Sequence, residues 1–162
     1  MDNLAAGPPD PGRLSGMTFA HLPRTVDHLP LDDPRSAADV VDLVVSETDR
    51  TDGCLCLLLL DDGLRLVRPV LIGEVGDDAD PADVASGLAT VLGAAVPAGG
   101  GVVVARGRDG SLLLTDADRR WHEALVAACA AAGARLVGSY LASPSGVRAF
   151  PAPLTAATDL AS

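Results

Sequence analysis

Residues 101–121, GVVVARGRDGSLLLTDADRRW, constrain the fold of this chain more than any other segment. An apolar run of strand length gives way to glycine and charged residues, and the chain resumes at Thr115 with Asp118 three residues on. That spacing is a helix-start signature. The threonine oxygen can accept from the amide of Asp118, and the aspartate can reach back to the amide of Thr115. A buried strand over 102–105, a loop holding Arg106, Gly107 and Arg108, and a helix from Thr115 to Ala132 are predicted. Gly133 stops that helix. A strand feeding a helix in this way belongs to a sheet covered by helices, hence to the α/β class.

The rest of the chain supplies the other elements. Ser36 can cap a helix running to about Thr48, with Val40, Val41, Leu43, Val44 and Val45 giving a broad apolar face. Cys54–Leu60 is a continuous apolar run of strand length, and Asp61, Asp62 and Gly63 form a hairpin turn signal. Residues 64–75 return as a strand in which Pro69 indicates an edge or a bulge. Asp80 and Pro81 open a helix that runs to about Leu92. Gly99, Gly100 and Gly101 form a loop, residues 135–142 a strand, Ser143 to Gly146 a turn, and 147–150 a short returning strand. Hairpins at both ends with crossovers between them predict one mixed sheet flanked by helices in a single domain over 36–150. Residues 1–35 are rich in Pro, Gly and Asp and read as a flexible arm, with local order around 17–22. Residues 151–162 read as a tail.

Composition removes several classes of function. The net charge of −10 opposes the phosphate backbone of a nucleic acid, and four aromatic residues leave little ring surface for stacking bases. All the basic residues are arginine, and lysine and glutamine are absent, a composition of actinobacterial type expected from a GC-rich genome. No apolar run approaches the roughly 18–20 residues that span a bilayer. The opening residues lack the basic start and apolar block of a secretory leader. Three cysteines suggest no disulfide framework. A cytoplasmic protein with free thiols is expected, touching neither membrane nor nucleic acid.

The spacing within residues 101–121 also carries a resemblance. From about Cys54 to Phe150 the chain resembles a RadC-type domain of the JAB/MPN family. Active members of that family bind a metal through His-x-His, ten residues and then Asp, with a Ser three before the Asp. Here Ala105 and Gly107 stand in the two histidine positions, Thr115 in the serine position and Asp118 in that of the aspartate. Gly110 falls at the glycine of the family's turn. Asp83 is the nearest match to its upstream acidic residue, and Gly138 and Ser139 replace an Asp-His pair downstream. The resemblance implies a JAB/MPN-like, RadC-related architecture without its metal-binding histidines. A catalytic zinc needs about three protein ligands and an open position, and Ala and Gly supply no donor. No metal or other cofactor is therefore expected, and the implied role is that of a non-catalytic scaffolding or partner-binding subunit.

Three functional readings follow. The first is a protein-interaction or scaffolding module for an unknown protein partner, a second copy of the chain in a homodimer among the candidates. Trp121 reads by default as half-buried packing, with an interface anchor as the sharper alternative. The second is a binder of a small anion through Arg106 and Arg108 beside the Thr115 and Asp118 helix start. Against it, Asp109, Asp116 and Asp118 crowd the same region and favour reading both arginines as solvated surface. The third is a divergent hydrolase in which Asp83 and Asp118 hold a hard cation such as Mg²⁺. The capping role of Thr115 and Asp118 explains both residues without any ligand. Cys54, Cys56 and Cys129 read as core packing in preference to a soft-metal site. Gly99 to Gly101 precede a strand instead of following one, the wrong order for a dinucleotide loop.

Overall fold

A computed structural model describes residues 17–18, 30–76 and 78–151. Its elements are β1 (Met17–Thr18), α1 (Pro34–Val44), α2 (Glu47–Asp52), β2 (Cys54–Leu60), β3 (Leu66–Gly73), α3 (Pro81–Ala95), β4 (Gly101–Gly107), α4 (Asp116–Ala132), β5 (Arg135–Ser143) and β6 (Gly146–Ala149). The strands form one mixed sheet in the order β1-β3-β2-β4-β5-β6. All neighbours are antiparallel except β4 and β5. The fold is a single α/β domain, a mixed sheet with helices on both faces.

The central strand explains the layering. Every residue of β2 is buried, and alternate side chains leave it in opposite directions. Cys54, Cys56, Leu58 and Leu60 pack with Val40, Val41 and Val44 of α1. Leu55, Leu57 and Leu59 pack with Leu88 and Leu92 of α3 and with Trp121, Leu125 and Ala128 of α4. Burying each of these leucines is worth about 1.5–3 kcal/mol. Two cores, one per face, thus share the same run of CLCLLLL.

Several boundaries differ from expectation: α3 runs on to Ala95, β3 is shorter at both ends and β6 starts and ends one residue early, and three further differences have a plain physical cause. The first helix begins at Pro34, with Asp33 in the capping position, and ends at Val44; the Ser36 hydroxyl donates to the Asp33 carboxylate from inside it. Proline's fixed φ suits the first helical turn, so it sets the start three residues earlier. Leu43, expected on the apolar face, is 54% exposed, because the helical period places it off the buried stripe of Ala37, Val40, Val41 and Val44. The predicted continuation to Thr48 breaks at Val45 and Ser46. Ser46 and Asp49 form a reciprocal capping box that starts α2 as a separate helix. The third difference is in β4, which runs through Arg106 to Gly107, pairing Leu55 with Arg106 and Cys54 with Gly107. Ladder pairing outweighs the local preference of Arg and Gly for a loop.

Pro69 is on the side of β2 away from β4, in a strand whose ladder with β2 shifts register after Leu59. Most of the expected N-terminal arm, and all of the tail but Pro151, lie outside the described residues. Residues 30–35 belong to the folded unit: Leu31 is buried, its amide donates to the Leu64 carbonyl, and Pro30 bridges Arg65. Met17 and Thr18 pair with Ile72 and Leu71 within the segment expected to hold local order.

Candidate functional site

The loop between β4 and α4 brings together four of the residues singled out by sequence. Val102, Val104 and Arg106 leave β4 towards α4, and Asp118 occupies the first turn of that helix. Arg106 is 2% exposed and Asp118 is fully buried. Arg106 Nη1 donates to Asp118 Oδ1 at 2.7 Å, and its guanidinium carbon lies 5.5 Å from the centre of the Trp121 ring. Arg108 forks onto the same carboxylate, Nε to Oδ1 and Nη2 to Oδ2, each at 2.7 Å. The Thr115 amide donates to Oδ2 at 2.9 Å, and the Asp118 amide to Thr115 Oγ1 at 3.1 Å. The predicted capping box is therefore present, with two arginines added to it.

This geometry decides what Asp118 can do. A carboxylate has about four acceptor positions. Here Oδ1 receives two donors and Oδ2 two, so neither oxygen has one left for a cation or a substrate proton. Burial alone would raise the Asp118 pKa. The fork from Arg108, the Thr115 amide and the charges of Arg108 and Arg106 outweigh burial and hold the carboxyl below its ordinary value. At neutral pH it is an ionised strut.

Arg108 works in the other direction as well. Its Nη1 donates to the carbonyls of Asp109 and Ser111, and its Nη2 to that of Leu113. Arg148 of β6 adds a bond from Nη1 to the Leu112 carbonyl at 2.9 Å. Gly110 turns the loop at φ +99°, and a Cβ there would stand 3.1 Å from Arg108 Nη1. The loop is thus wrapped around a guanidinium, and it presents Leu113 to solvent at 73% exposure, with Leu112 and Leu114 half-buried beside it.

The residues implied by the resemblance do not converge. Ala105 packs with Val41 and Val45 under α1, on the face of the sheet opposite Asp118. Gly107 is directed the same way. A Cβ on it would meet Cys54 Sγ at 2.5 Å, Val45 Cγ1 at 3.4 Å and the Arg50 Cα at 3.6 Å. Histidines at these two positions would enter a filled core and not a shared centre with Asp118. Asp83 is exposed on the first turn of α3. The Asp83 and Asp118 pair needed for a hard cation fails on the saturated carboxylate of Asp118. No group of three or more His, Cys, Asp or Glu residues placed to hold a metal occurs among the described residues. The donors present do not fit the family's metal.

Two further expectations change. Trp121 is 2% exposed, packed beneath Arg106 with Leu125 and Val104, so it is a core residue and not a surface anchor. Arg106 lies on a strand and not in the loop, and Arg108 has only 12% of its side chain exposed. Neither arginine is the solvated surface residue that the flanking aspartates suggested: Arg106 donates to Asp118, and Arg108 to Asp118 and to the loop carbonyls, which leaves the anion-binding alternative without its open guanidinium pair. A depression of about 370 Å³, lined by Leu92, Val96, Gly99, Gly133 and Arg135, includes neither of them.

The three cysteines are free and buried. Burial pushes the Cys54 thiol up to about 12 and Cys129 up to about 11, and raises Cys56 as well. Thiolate is the reactive form. All three thiols are expected to resist a disulfide reagent at pH 8 in the native protein and to react together after denaturation. Stoichiometric native labelling would contradict their burial.

Sequence reasoning missed two features. One is the display of Leu113; its signal was three consecutive leucines between Ser111 and Thr115, a run with no place in a solvated loop. The other joins α4 to β5. His122 Nδ1 lies 2.9 Å from Ser139 Oγ, and the imidazole stacks on Phe150, the ring centres 4.6 Å apart and the planes within 4°. Seventeen residues separate His122 from Ser139, and no local pattern announces the contact.

Comparison with protein-family models, with curated proteins and with solved structures gives no match. No helix among the described residues is long and apolar enough to cross a membrane.

Proposed function

We propose that this domain is a non-catalytic interaction module that engages a protein partner through the loop carrying Leu112, Leu113 and Leu114. The observation that carries the proposal is the exposed Leu113 on a braced backbone. Single exposed leucines are common on protein surfaces. This one differs because Arg108 and Arg148 bind four carbonyls in or beside its loop. A loop already ordered before contact avoids much of the ordering cost that weakens association. The saturated carboxylate of Asp118 favours bracing over chemistry at the same place.

The finer form of the proposal is a degenerate JAB/MPN-like, RadC-related domain. It rests on the succession of strand, capped loop and helix from β4 to α4, and on the closing pair β5 and β6. In that form the places of the histidines have passed to core packing, and Asp118 has passed to holding the loop.

Leu113→Asp tests the proposal. A surface change of this kind alters stability by about 0.5 kcal/mol or less, so the variant should melt with the parent. It is expected to weaken a stoichiometric complex at least tenfold when both proteins are used to capture partners from the native host. Equal recovery of one partner by both proteins would remove the loop as the contact. Self-association abolished by the same change would identify the partner as a second copy.

A further inference from the structure

The edge strand β6 ends at Ala149, and the next residue, Phe150, is fastened to the sheet by two contacts of different kinds. Its amide donates to the Ser139 carbonyl at 2.8 Å. Its ring lies flat on the imidazole of His122, which is itself tied to Ser139 Oγ. Ser139 is therefore the common anchor, holding the backbone of Phe150 with its carbonyl and the ring beneath Phe150 with its hydroxyl. We propose that His122, Ser139 and Phe150 form an acid-sensitive clasp that fastens the end of β6 to the sheet and lets Phe150 go when the imidazole takes a second proton.

The surroundings of His122 favour the neutral ring. It is half-buried between α4, β5 and Phe150, and burial disfavours the charged form. Glu123 is the carboxylate whose field opposes that burial, and burial outweighs it, so the imidazole titrates below its ordinary value. On its own helix, Arg119 is occupied with Asp116, and Arg120 is an exposed positive charge. Asp118, one turn earlier, has its acceptors filled. From β5 the group facing His122 is Ser139, which is uncharged. From the β6 segment it is the Phe150 ring, with Arg148 two residues earlier bound to the Leu112 carbonyl. Among the described residues Glu123 is thus the carboxylate whose field reaches the ring, and no ion pair joins it to the imidazole.

The sign follows from linkage. A histidine whose folded pKa lies below the ordinary 6.5 stabilises the closed clasp fully above pH 6.5. That contribution is lost as pH falls through the folded-state value. A released Phe150 also frees the strand that carries Arg148, and with it one of the bonds to the loop of Leu113. This last coupling rests on the loop being the partner site; the clasp itself does not.

Amide hydrogen exchange at Phe150, followed by NMR and corrected for intrinsic rates, tests the clasp directly. Its protection is expected to fall several-fold between pH 7.5 and pH 5 in the parent protein. It is expected to stay constant in His122→Phe, which keeps a ring for stacking but cannot be protonated. The ring titration of His122 gives a second readout that needs no folded His122 variant: Phe150→Ala, by exposing the imidazole, is expected to move its pKa up towards 6.5. Equal loss of protection in the parent and His122→Phe, constant protection in the parent, or an imidazole titrating above 6.5 would each overturn the proposal.

Discussion

Replacing Asp118 with alanine is expected to cost the fold about 3–5 kcal/mol, the usual penalty for removing one partner of a buried ion pair. The loss has three parts. Arg106, fully inside the fold, loses the carboxylate 2.7 Å from its Nη1. Arg108 loses both arms of its fork, and with them the geometry that holds the carbonyls of Asp109, Ser111 and Leu113. The Thr115 amide at the start of α4 loses its acceptor. Urea unfolding of the parent and the variant measures the difference. The contribution of Asp118 should be present above the ordinary carboxyl value of 3.8 and lost as pH falls through its lower folded value. The gap between the two proteins should therefore be constant from pH 5 to 8 and narrow only in strong acid. A loss under about 1 kcal/mol at neutral pH, the value of an exposed pair, would show that the network is not the strut described above.

The second large effect comes from restoring what the family resemblance would require. Ala105→His with Gly107→His places two imidazoles under α1, on the face of β4 away from Asp118. Even one methyl at Gly107 meets Cys54 Sγ at 2.5 Å. Overpacking of a close-packed core costs typically about 1–3 kcal/mol for extra methylenes, and two rings exceed that. The double variant is expected to lose cooperative unfolding and near-ultraviolet dichroism, and zinc is expected not to recover either. A folded double variant holding one equivalent of zinc, with affinity lost on adding Asp118→Asn, would mean that the three positions converge after all.

These two results bear on how much of the molecule its sequence could disclose. The strand Cys54–Leu60 was legible to the residue because both of its faces are buried, which leaves a run with no polar interruption. The capping box at Thr115 was legible because its bonds are local. Arg106 was misplaced into a loop for the opposite reason. Its strand assignment depends on pairing with Leu55, about fifty residues earlier, and its charge is tolerated only because Asp118 arrives from the following helix. Trp121, flanked by Arg119, Arg120 and His122, reads as half-buried packing or an interface anchor. The spacing of Asp118, Trp121, Leu125 and Ala128 nonetheless marks one helical stripe, and that stripe is the buried face of α4. The helix break at Ser46 was likewise written in a Ser-x-x-Asp box that the apolar run from Val40 to Val45 concealed. The contacts of Arg148 with Leu112 and of His122 with Ser139 had no sequence signal, because each joins elements brought together only by the finished sheet.

The most direct test of the central claim, that the charges around Asp118 are consumed inside the fold, is thermal unfolding of the intact protein with phosphate and with Zn²⁺, Mn²⁺ and Mg²⁺ at millimolar concentration. A ligand at one hundred times its dissociation constant adds about 2.7 kcal/mol, which for a chain of this size raises Tm by several degrees. The expected result is a Tm unchanged within about 1 °C by any of the four. A rise of several degrees, lost with phosphate in Arg108→Met or with a metal ion in Asp118→Asn, would mean that the site is open to a ligand and would contradict the claim.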